Sequence, residues 1–317
     1  MDQLPLYTRT ELVASGLASA EILACTESGL LKRLRPGIFT LAESWSNATP
    51  EERVVTRARA LAAVSATPPL FAHETAAAIQ EAPLFAPDPH RVHVILDISR
   101  PGAAAGVVRH RGEVASDEIL VIDGLQCTAL TRTVADMART ASFEQAVTVA
   151  DALLRRACVN DRAEYDADRA AQLADDMLTI VRRSAHGQSR AKRVLGFADG
   201  RAERPGESVS RIRLVELGFR RLRLQVPVAA PRGTDYRVDL GIEDVPAWGE
   251  FDGRIKYEDG RILVDRTPDE VFDREKQRED WIRGTTGLPL VRWGWSDIKT
   301  AATLGERLAA FGIRPPQ

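Results

Sequence analysis

The sequence reads RVDL at residues 237–240 and WGEFDGRIK at residues 248–256. Side chains of a strand alternate between its two faces, so Glu250 and Asp252 share one face. An antiparallel hairpin would place Asp239 beside Glu250, about 5 Å apart between Cβ atoms, where two carboxylates can share a divalent ion. Pairing of each acid with a surface arginine explains the same pattern equally well.

The segments around this hairpin predict the order α-β-β-β-α-β. Periodicity and turn residues place these elements at 207–217, 224–228, 236–242, 247–251, 269–283 and 288–293. Glu207 suits the start of the first helix and could pair with Arg211, or it could join the two acids of the hairpin. Lys256 could orient a water molecule or offset charge on a phosphate, although a solvated surface lysine explains it too.

These residues resemble the restriction-endonuclease-like superfamily, in the branch related to very-short-patch repair endonucleases. The resemblance covers roughly the last third of the chain and is carried by Glu207, Arg237-Val238-Asp239, Glu250 to Tyr257, Arg274 to Arg278 and Leu290-Val291-Arg292-Trp293. It implies a PD-(D/E)XK fold in which Asp239 and Glu250 bind Mg2+ (or Mn2+) and Glu207 is an accessory acid. Asp252 stands where the family has a lysine, so the activation of water would pass to Lys256, with Asp252 assisting or holding a second ion.

Residues 1–50 predict a winged helix-turn-helix. Thr10 and Ser19 can each cap a short helix, and Pro36-Gly37 separates two extended runs that form a hairpin. A generic helical cap with a hairpin fits the same pattern. The second helix contains no basic residue, so the DNA contacts are expected from the hairpin, at Lys32, Arg33 and Arg35.

Residues 51–185 predict a middle α/β domain that begins with a helical spacer, and residues 186–317 form the third segment. The winged-helix start, the run 73–77 and the run 131–139 resemble antitoxins of type IV toxin-antitoxin systems. This resemblance implies a DNA-binding and toxin-neutralising region, with a toxin protein as a possible partner.

Residues 182–223 are rich in positive charge, with 12 basic and four acidic residues. This basic excess indicates either a solvated helix face or a surface that contacts phosphate, and Arg211 is our DNA-binding candidate within it. The whole chain is nearly neutral, with 43 basic and 45 acidic residues, which excludes a globally basic nucleic-acid coat.

The remaining motifs mainly exclude functions. The three cysteines lie far apart, which argues against a structural zinc site or a disulfide framework and favours a reducing cytosol. No signal peptide or membrane span is expected. His90 and His93 should point to opposite faces of a strand and so should not chelate one metal, and His110 is best explained as a structural histidine.

The sequence therefore predicts an α/β (α+β) protein with a winged helix, a middle α/β domain and a nuclease-like domain with a mixed central sheet. The expected function is that of a cytoplasmic, DNA-associated, metal-dependent endodeoxyribonuclease. The alternative is a non-catalytic antitoxin-like regulator that keeps the nuclease fold as a scaffold. Action on RNA also stays open, as does the oligomeric state.

Overall fold

The computed structural model describes residues 3–96, 105–231, 233, 235–253 and 268–316. These residues form a mixed α+β protein, as predicted, and two of its sheets combine parallel and antiparallel strands. The chain divides into two compact units, an N-terminal unit of residues 1–198 and a C-terminal unit of residues 199–317. Within the described residues, every helix is too short or too polar to cross a membrane.

The N-terminal unit begins with two short helices and a three-stranded antiparallel sheet of order β1-β3-β2. The elements are β1 (Tyr7–Thr8), α1 (Arg9–Ala14), α2 (Ser19–Glu27), β2 (Leu31–Arg35) and β3 (Ile38–Leu41). Helix α1 is capped by Thr8 rather than by Thr10, because Thr8 and Glu11 exchange side-chain and backbone hydrogen bonds. Gly37 has a φ of 76°, which permits the tight turn between β2 and β3. The helix pair and hairpin predicted for residues 1–50 are present.

The next two helices connect this region to the following sheet. They are α3 (Ala42–Asn47) and α4 (Pro50–Ala62). Ala60 of α4 packs with Leu34 and Trp45, whereas Ala58 of the same helix packs with Phe71. Helix α4 therefore contributes to two hydrophobic cores, and the spacer predicted after residue 50 is a packed element.

A five-stranded mixed sheet of order β6-β5-β4-β8-β7 and five helices complete the N-terminal unit. These elements are β4 (Leu70–Phe71), α5 (His73–Ile79), β5 (Val92–Ile95), β6 (Val107–His110), β7 (Ile119–Ile122), β8 (Leu125–Thr128), α6 (Leu130–Thr140), α7 (Phe143–Cys158), α8 (Ala167–Arg182) and α9 (Gln188–Phe197). Helix α9 packs against α6, α7 and α8. The boundary predicted at residues 185 and 186 therefore moves to the end of α9, whose buried face, including Val194, belongs to this unit.

The C-terminal unit has the predicted α-β-β-β-α-β order, followed by one further helix. Its elements are α10 (Pro205–Leu217), β9 (Leu222–Val228), β10 (Tyr236–Ile242), β11 (Ala247–Phe251), α11 (Pro268–Thr286), β12 (Leu290–Trp293) and α12 (Ala301–Ala309). The sheet order is β12-β11-β10-β9, with β12 parallel to β11 and the other pairs antiparallel. A core that includes Val238, Ile282 and Leu290 lies between the sheet and α11.

Candidate active site

Three acids of the C-terminal unit come from adjacent elements: Glu207 from the first turn of α10, Asp239 from β10 and Glu250 from β11. We call them the acid cluster. Strands β10 and β11 pair Leu240 with Gly249, and Asp239 and Glu250 are the next residues along the two strands, close enough for repulsion from Glu250 to act on Asp239. The Asp239 carboxylate also accepts a hydrogen bond from the backbone N–H of Phe251 at 2.9 Å.

Close packing of α10 against β11 brings Glu207 to this hairpin. A Cβ atom at Gly206 would lie only 2.1 Å from the Phe251 ring, so only glycine permits this approach. Further along α10, the hydroxyl of Ser210 accepts a 2.7 Å hydrogen bond from Nε1 of Trp293. These contacts bring Glu207, directly after Gly206, to β11, and repulsion from Asp239 acts on its carboxyl.

The Glu207 carboxyl is 2% exposed and has no cationic partner among the described residues. Its Oε2 accepts hydrogen bonds from the Glu203 backbone N–H at 2.9 Å and from Nε2 of Gln225 at 3.1 Å. Burial, together with repulsion from Asp239, raises the pKa of Glu207 to about 8. Glu207 is therefore largely protonated at neutral pH.

Asp239 lies between two strands that both contribute to the site. Burial raises its pKa to about 6; the Phe251 hydrogen bond opposes this shift and repulsion from Glu250 adds to it. On the other side, Gln225 of β9 stands opposite Asp239 by register, and its φ of 50° is in the left-handed region. A non-glycine residue in that region carries conformational strain, which concentrates at functional sites.

Glu250 is 7% exposed and is held by two arginines. Nη2 of Arg278 lies 2.7 Å from Oε1 and Nη2 of Arg292 lies 3.1 Å from Oε2. The Arg278 contact is a charge pair rather than a well-aligned hydrogen bond, since Oε1 is buried without a hydrogen-bond partner. Both arginines also contact Glu275. The pairing of a hairpin acid with arginines, one of the two explanations of the sequence pattern, thus occurs at Glu250.

Of the two other predicted residues of this site, the structure describes Asp252. Asp252 follows β11, is half-buried, and donates its backbone N–H to the Trp293 carbonyl at 2.8 Å. Lys256 lies outside the described residues. Among the described residues, the group of three or more possible metal ligands within 4.8 Å of one another consists of histidines. The acid cluster does not meet this distance with all three of its carboxyl groups.

Three of the predicted DNA-binding residues lie on β2 of the N-terminal hairpin, and the fourth, Arg211, is buried on α10. Arg33 is exposed on β2, while Nζ of Lys32 lies 5.4 Å from the centre of the Trp45 ring. Arg35 is half-buried, and burial lowers the pKa of its guanidinium. Arg211 is only 7% exposed and lies 3.8 Å from Asp199, so it is an interior ion-pair residue and the expected phosphate contact does not fit its position.

A histidine cluster that was not predicted from the sequence is formed by His73, His93 and His110 of the N-terminal unit. One ligand atom from each ring lies within 4.8 Å of the others, and His93 Nδ1 is 2.9 Å from His110 Nε2. Burial lowers the pKa of His93 and of His110 to about 4, and lowers that of His73 well below its ordinary value. Residue spacing could not reveal this cluster, because it depends on parallel pairing of β5 with β6.

Comparisons with known proteins add little to this geometry. No family model matches the chain, and no curated protein matches it. Among solved structures, the chain is similar to the RV2827C protein from Mycobacterium tuberculosis, with 14% identity, a TM-score of 0.35, and coverage of 60% of this chain and 75% of that one. Nothing about function follows from a likeness at this level.

Proposed function

We propose that the C-terminal unit hydrolyses phosphodiester bonds in DNA with Mg2+ or Mn2+ at the acid cluster. The observation that carries this proposal is that Glu207 and Asp239 are both buried with a raised pKa. Burial raises both values, repulsion from Asp239 adds to that of Glu207, and repulsion from Glu250 adds to that of Asp239. Acids kept in such an unfavourable electrostatic position are typical of functional sites, whereas structural acids normally have a cation beside them.

The donor chemistry of the cluster fits a hard divalent cation. All donors are carboxylate oxygens, the ligands that Mg2+ prefers. Oε1 of Glu250 is buried and lies 2.7 Å from Nη2 of Arg278. Asp239 and Glu250 would hold the ion, with Glu250 sharing Arg278 with it or releasing this arginine.

A bound ion would polarise the scissile phosphate and lower the pKa of a bound water molecule. In the hydrolysis, a water oxygen attacks phosphorus, one P–O ester bond breaks, and the leaving oxygen takes up a proton. Glu207 is largely protonated at neutral pH and would donate this proton. Arg278, released from Glu250, can offset the charge of the phosphate. We assign Asp252 an assisting role and Lys256 the polarisation of water, as the family resemblance implies.

DNA would be recruited by the winged-helix region of the N-terminal unit, through Lys32, Arg33 and Arg35. Such contacts are electrostatic and should weaken as salt rises. The cysteines Cys25, Cys127 and Cys158 are free thiols, which supports a cytoplasmic location.

The test is cleavage of supercoiled plasmid and of single-stranded DNA by the full chain, with Mg2+, Mn2+ or EDTA. We expect nicking that requires the metal and falls by at least about 100-fold in Asp239→Asn and Glu250→Gln. Glu306→Gln, an exposed acid of α12, is the matched control and should cleave like the wild type. Circular dichroism confirms that the variants are folded. Cleavage that persists in Asp239→Asn would refute the assignment.

The second candidate function is a non-catalytic regulator of the type IV antitoxin kind, with operator DNA and a toxin protein as partners. The specific observation in its favour is the double ion pair of Glu250 with Arg278 and Arg292, which already satisfies much of its charge without a metal. A regulator should bind DNA through the hairpin and show no cleavage with any metal. It should also bind DNA equally well when Asp239 is replaced by asparagine.

A further inference from the structure

Three of the five histidines of the chain meet on one face of the five-stranded sheet. Strands β5 and β6 are parallel and pair Ile95 with His110, so His93, two residues before Ile95, projects on the same side as His110. Helix α5 begins at His73, two residues after the end of β4, the central strand, and the His93 backbone N–H donates to the Thr75 hydroxyl of that helix at 2.9 Å. The fold therefore brings the three rings together from three separate elements.

The ring geometry is close to that of imidazoles on one metal ion. Around a tetrahedral ion with metal–nitrogen bonds of about 2.0 Å, the nitrogens lie roughly 3.3 Å apart and the ring centres about 5 Å apart. His93 and His110 have ring centres 5.2 Å apart, and those of His73 and His93 are 5.7 Å apart. His73 and His110 are stacked at 3.5 Å, so the His73 ring must tilt away from His110 when an ion enters.

A second, independent observation comes from His73 itself. His73 is only 5% exposed, and its Nδ1 has no hydrogen-bond partner among the described residues. A buried polar nitrogen without a partner is costly in free energy, and a bound ion would remove that cost.

Glu74, which lies beside the second ring nitrogen of His93, also fits metal binding. Nδ1 of His93 faces His110, while Nε2 of His93 lies 3.9 Å from Oε2 of Glu74. The other oxygen of Glu74 accepts a 2.9 Å hydrogen bond from Gln145, which fixes the carboxylate. A carboxylate behind the non-ligating nitrogen is the usual support of a metal-bound histidine, because it fixes the tautomer and orients the ring.

The charges around the histidine cluster do not exclude a cation. Arg132 faces His73, but its guanidinium is paired with Glu118 at 2.9 Å and with Asp136 at 2.8 Å. Arg139, which also faces His73, donates to the His186 carbonyl oxygen. Arg91 near His93 is paired with Asp88 at 3.0 Å. Glu74 adds a further acid beside the rings.

We propose that His73, His93 and His110 bind one divalent transition-metal ion of the zinc type, through His93 Nδ1, His110 Nε2 and one nitrogen of His73. Three imidazoles suit Zn2+, Co2+, Ni2+ or Cu2+ rather than Mg2+, so this site is chemically distinct from the acid cluster. Because three protein ligands leave a fourth position open, and His93 and His110 are half-buried, the ion would keep a position for water or a small ligand.

The test uses the full chain in which the two histidines outside the cluster are replaced, His90→Ala/His186→Ala, after removal of bound metal with a chelator. We expect the histidine cluster of this protein to bind one Co2+ with the intense visible absorption of a tetrahedral site, and to exchange it for Zn2+. In this protein, the additional change His93→Gln or His110→Gln should weaken Co2+ binding by about 100-fold or more. Loss of a residue that only supports a ligand already costs about 10-fold to 100-fold. Asp239→Asn should leave the Co2+ spectrum unchanged, which separates this site from the proposed nuclease centre.

X-ray absorption at the zinc edge supplies a readout that needs no ligand substitution. Three imidazole nitrogens at about 2.0 Å are expected in the His90→Ala/His186→Ala protein. Absence of Co2+ and Zn2+ uptake by this protein would overturn the proposal. Uptake that is unaffected by His93→Gln and His110→Gln, or a zinc spectrum dominated by oxygen or sulfur, would overturn it too.

Discussion

Replacing Glu207 with glutamine should flatten the pH dependence of the stability of the C-terminal unit. Burial and repulsion from Asp239 raise the pKa of Glu207 to about 8 in the folded protein, from an ordinary value of 4.5. An acid whose pKa is raised by folding contributes its full stabilisation below the unfolded-state pKa and loses it as the pH rises through the folded-state pKa. Wild-type stability should therefore fall between about pH 5 and pH 8, while glutamine has no proton to lose.

The size of the effect follows from the number of protons released. One proton corresponds to about 1.4 kcal/mol per pH unit, and half of the proton is lost at pH 8, so raising the pH from about 6 to about 8 should lower the wild-type free energy of unfolding by about 2 kcal/mol relative to Glu207→Gln. Asp239 has a pKa of about 6, so most of its own contribution is lost at lower pH.

The assay is urea unfolding followed by tryptophan fluorescence at several pH values. Trp45→Phe serves as the background, because the remaining tryptophans, at 248, 281, 293 and 295, all belong to the C-terminal unit. Glu306→Gln on the exposed face of α12 is the matched control and should follow the wild type. Parallel pH profiles for Glu207→Gln and the wild type would show that Glu207 is not a high-pKa acid and would refute this electrostatic account.

Three further predictions address the same unit. Gly206→Ala should destabilise it by about 1–3 kcal/mol or more in urea unfolding and reduce nicking, because the new methyl group would collide with Phe251 and push α10 from β11. Arg278→Ala should cost about 3 kcal/mol in the same measurement, since Glu250 would lose one of its two cations. Mg2+ at 100 times its dissociation constant should stabilise the wild type by about 2.7 kcal/mol near pH 8, and Asp239→Asn should lose this gain in thermal unfolding.

The order of elements in the C-terminal unit was predictable from the sequence because local patterns determine it. Alternation of apolar residues gave β10 and β11 with their observed ends, and Gly218, with a φ of 109°, ends α10 where it was predicted. The register of the hairpin also followed, since it requires the apolar side chains of Val238 and Leu240 to face the core. The proximity of Asp239 to Glu250 could therefore be predicted.

Interactions between distant segments could not be predicted in this way. Arg278 and Arg292 reach Glu250 from α11 and β12, and nothing in their local sequence distinguishes them from solvated arginines. Arg211 belongs to the basic excess of the sequence, yet its position on the inner face of α10 buries it. The histidine cluster needs strands β5 and β6 to be parallel neighbours, which the spacing of His93 and His110 does not specify.

The proposed nuclease function requires that the acid cluster bind a hard divalent cation, which an ion-paired part of the core would not do. Mn2+ binding by the full chain near pH 8, followed by electron paramagnetic resonance, measures this directly. We expect Mn2+ uptake that is lost in Asp239→Asn and retained in His93→Gln. No uptake, or uptake that Asp239→Asn leaves unchanged, would show that the acid cluster is not a metal site.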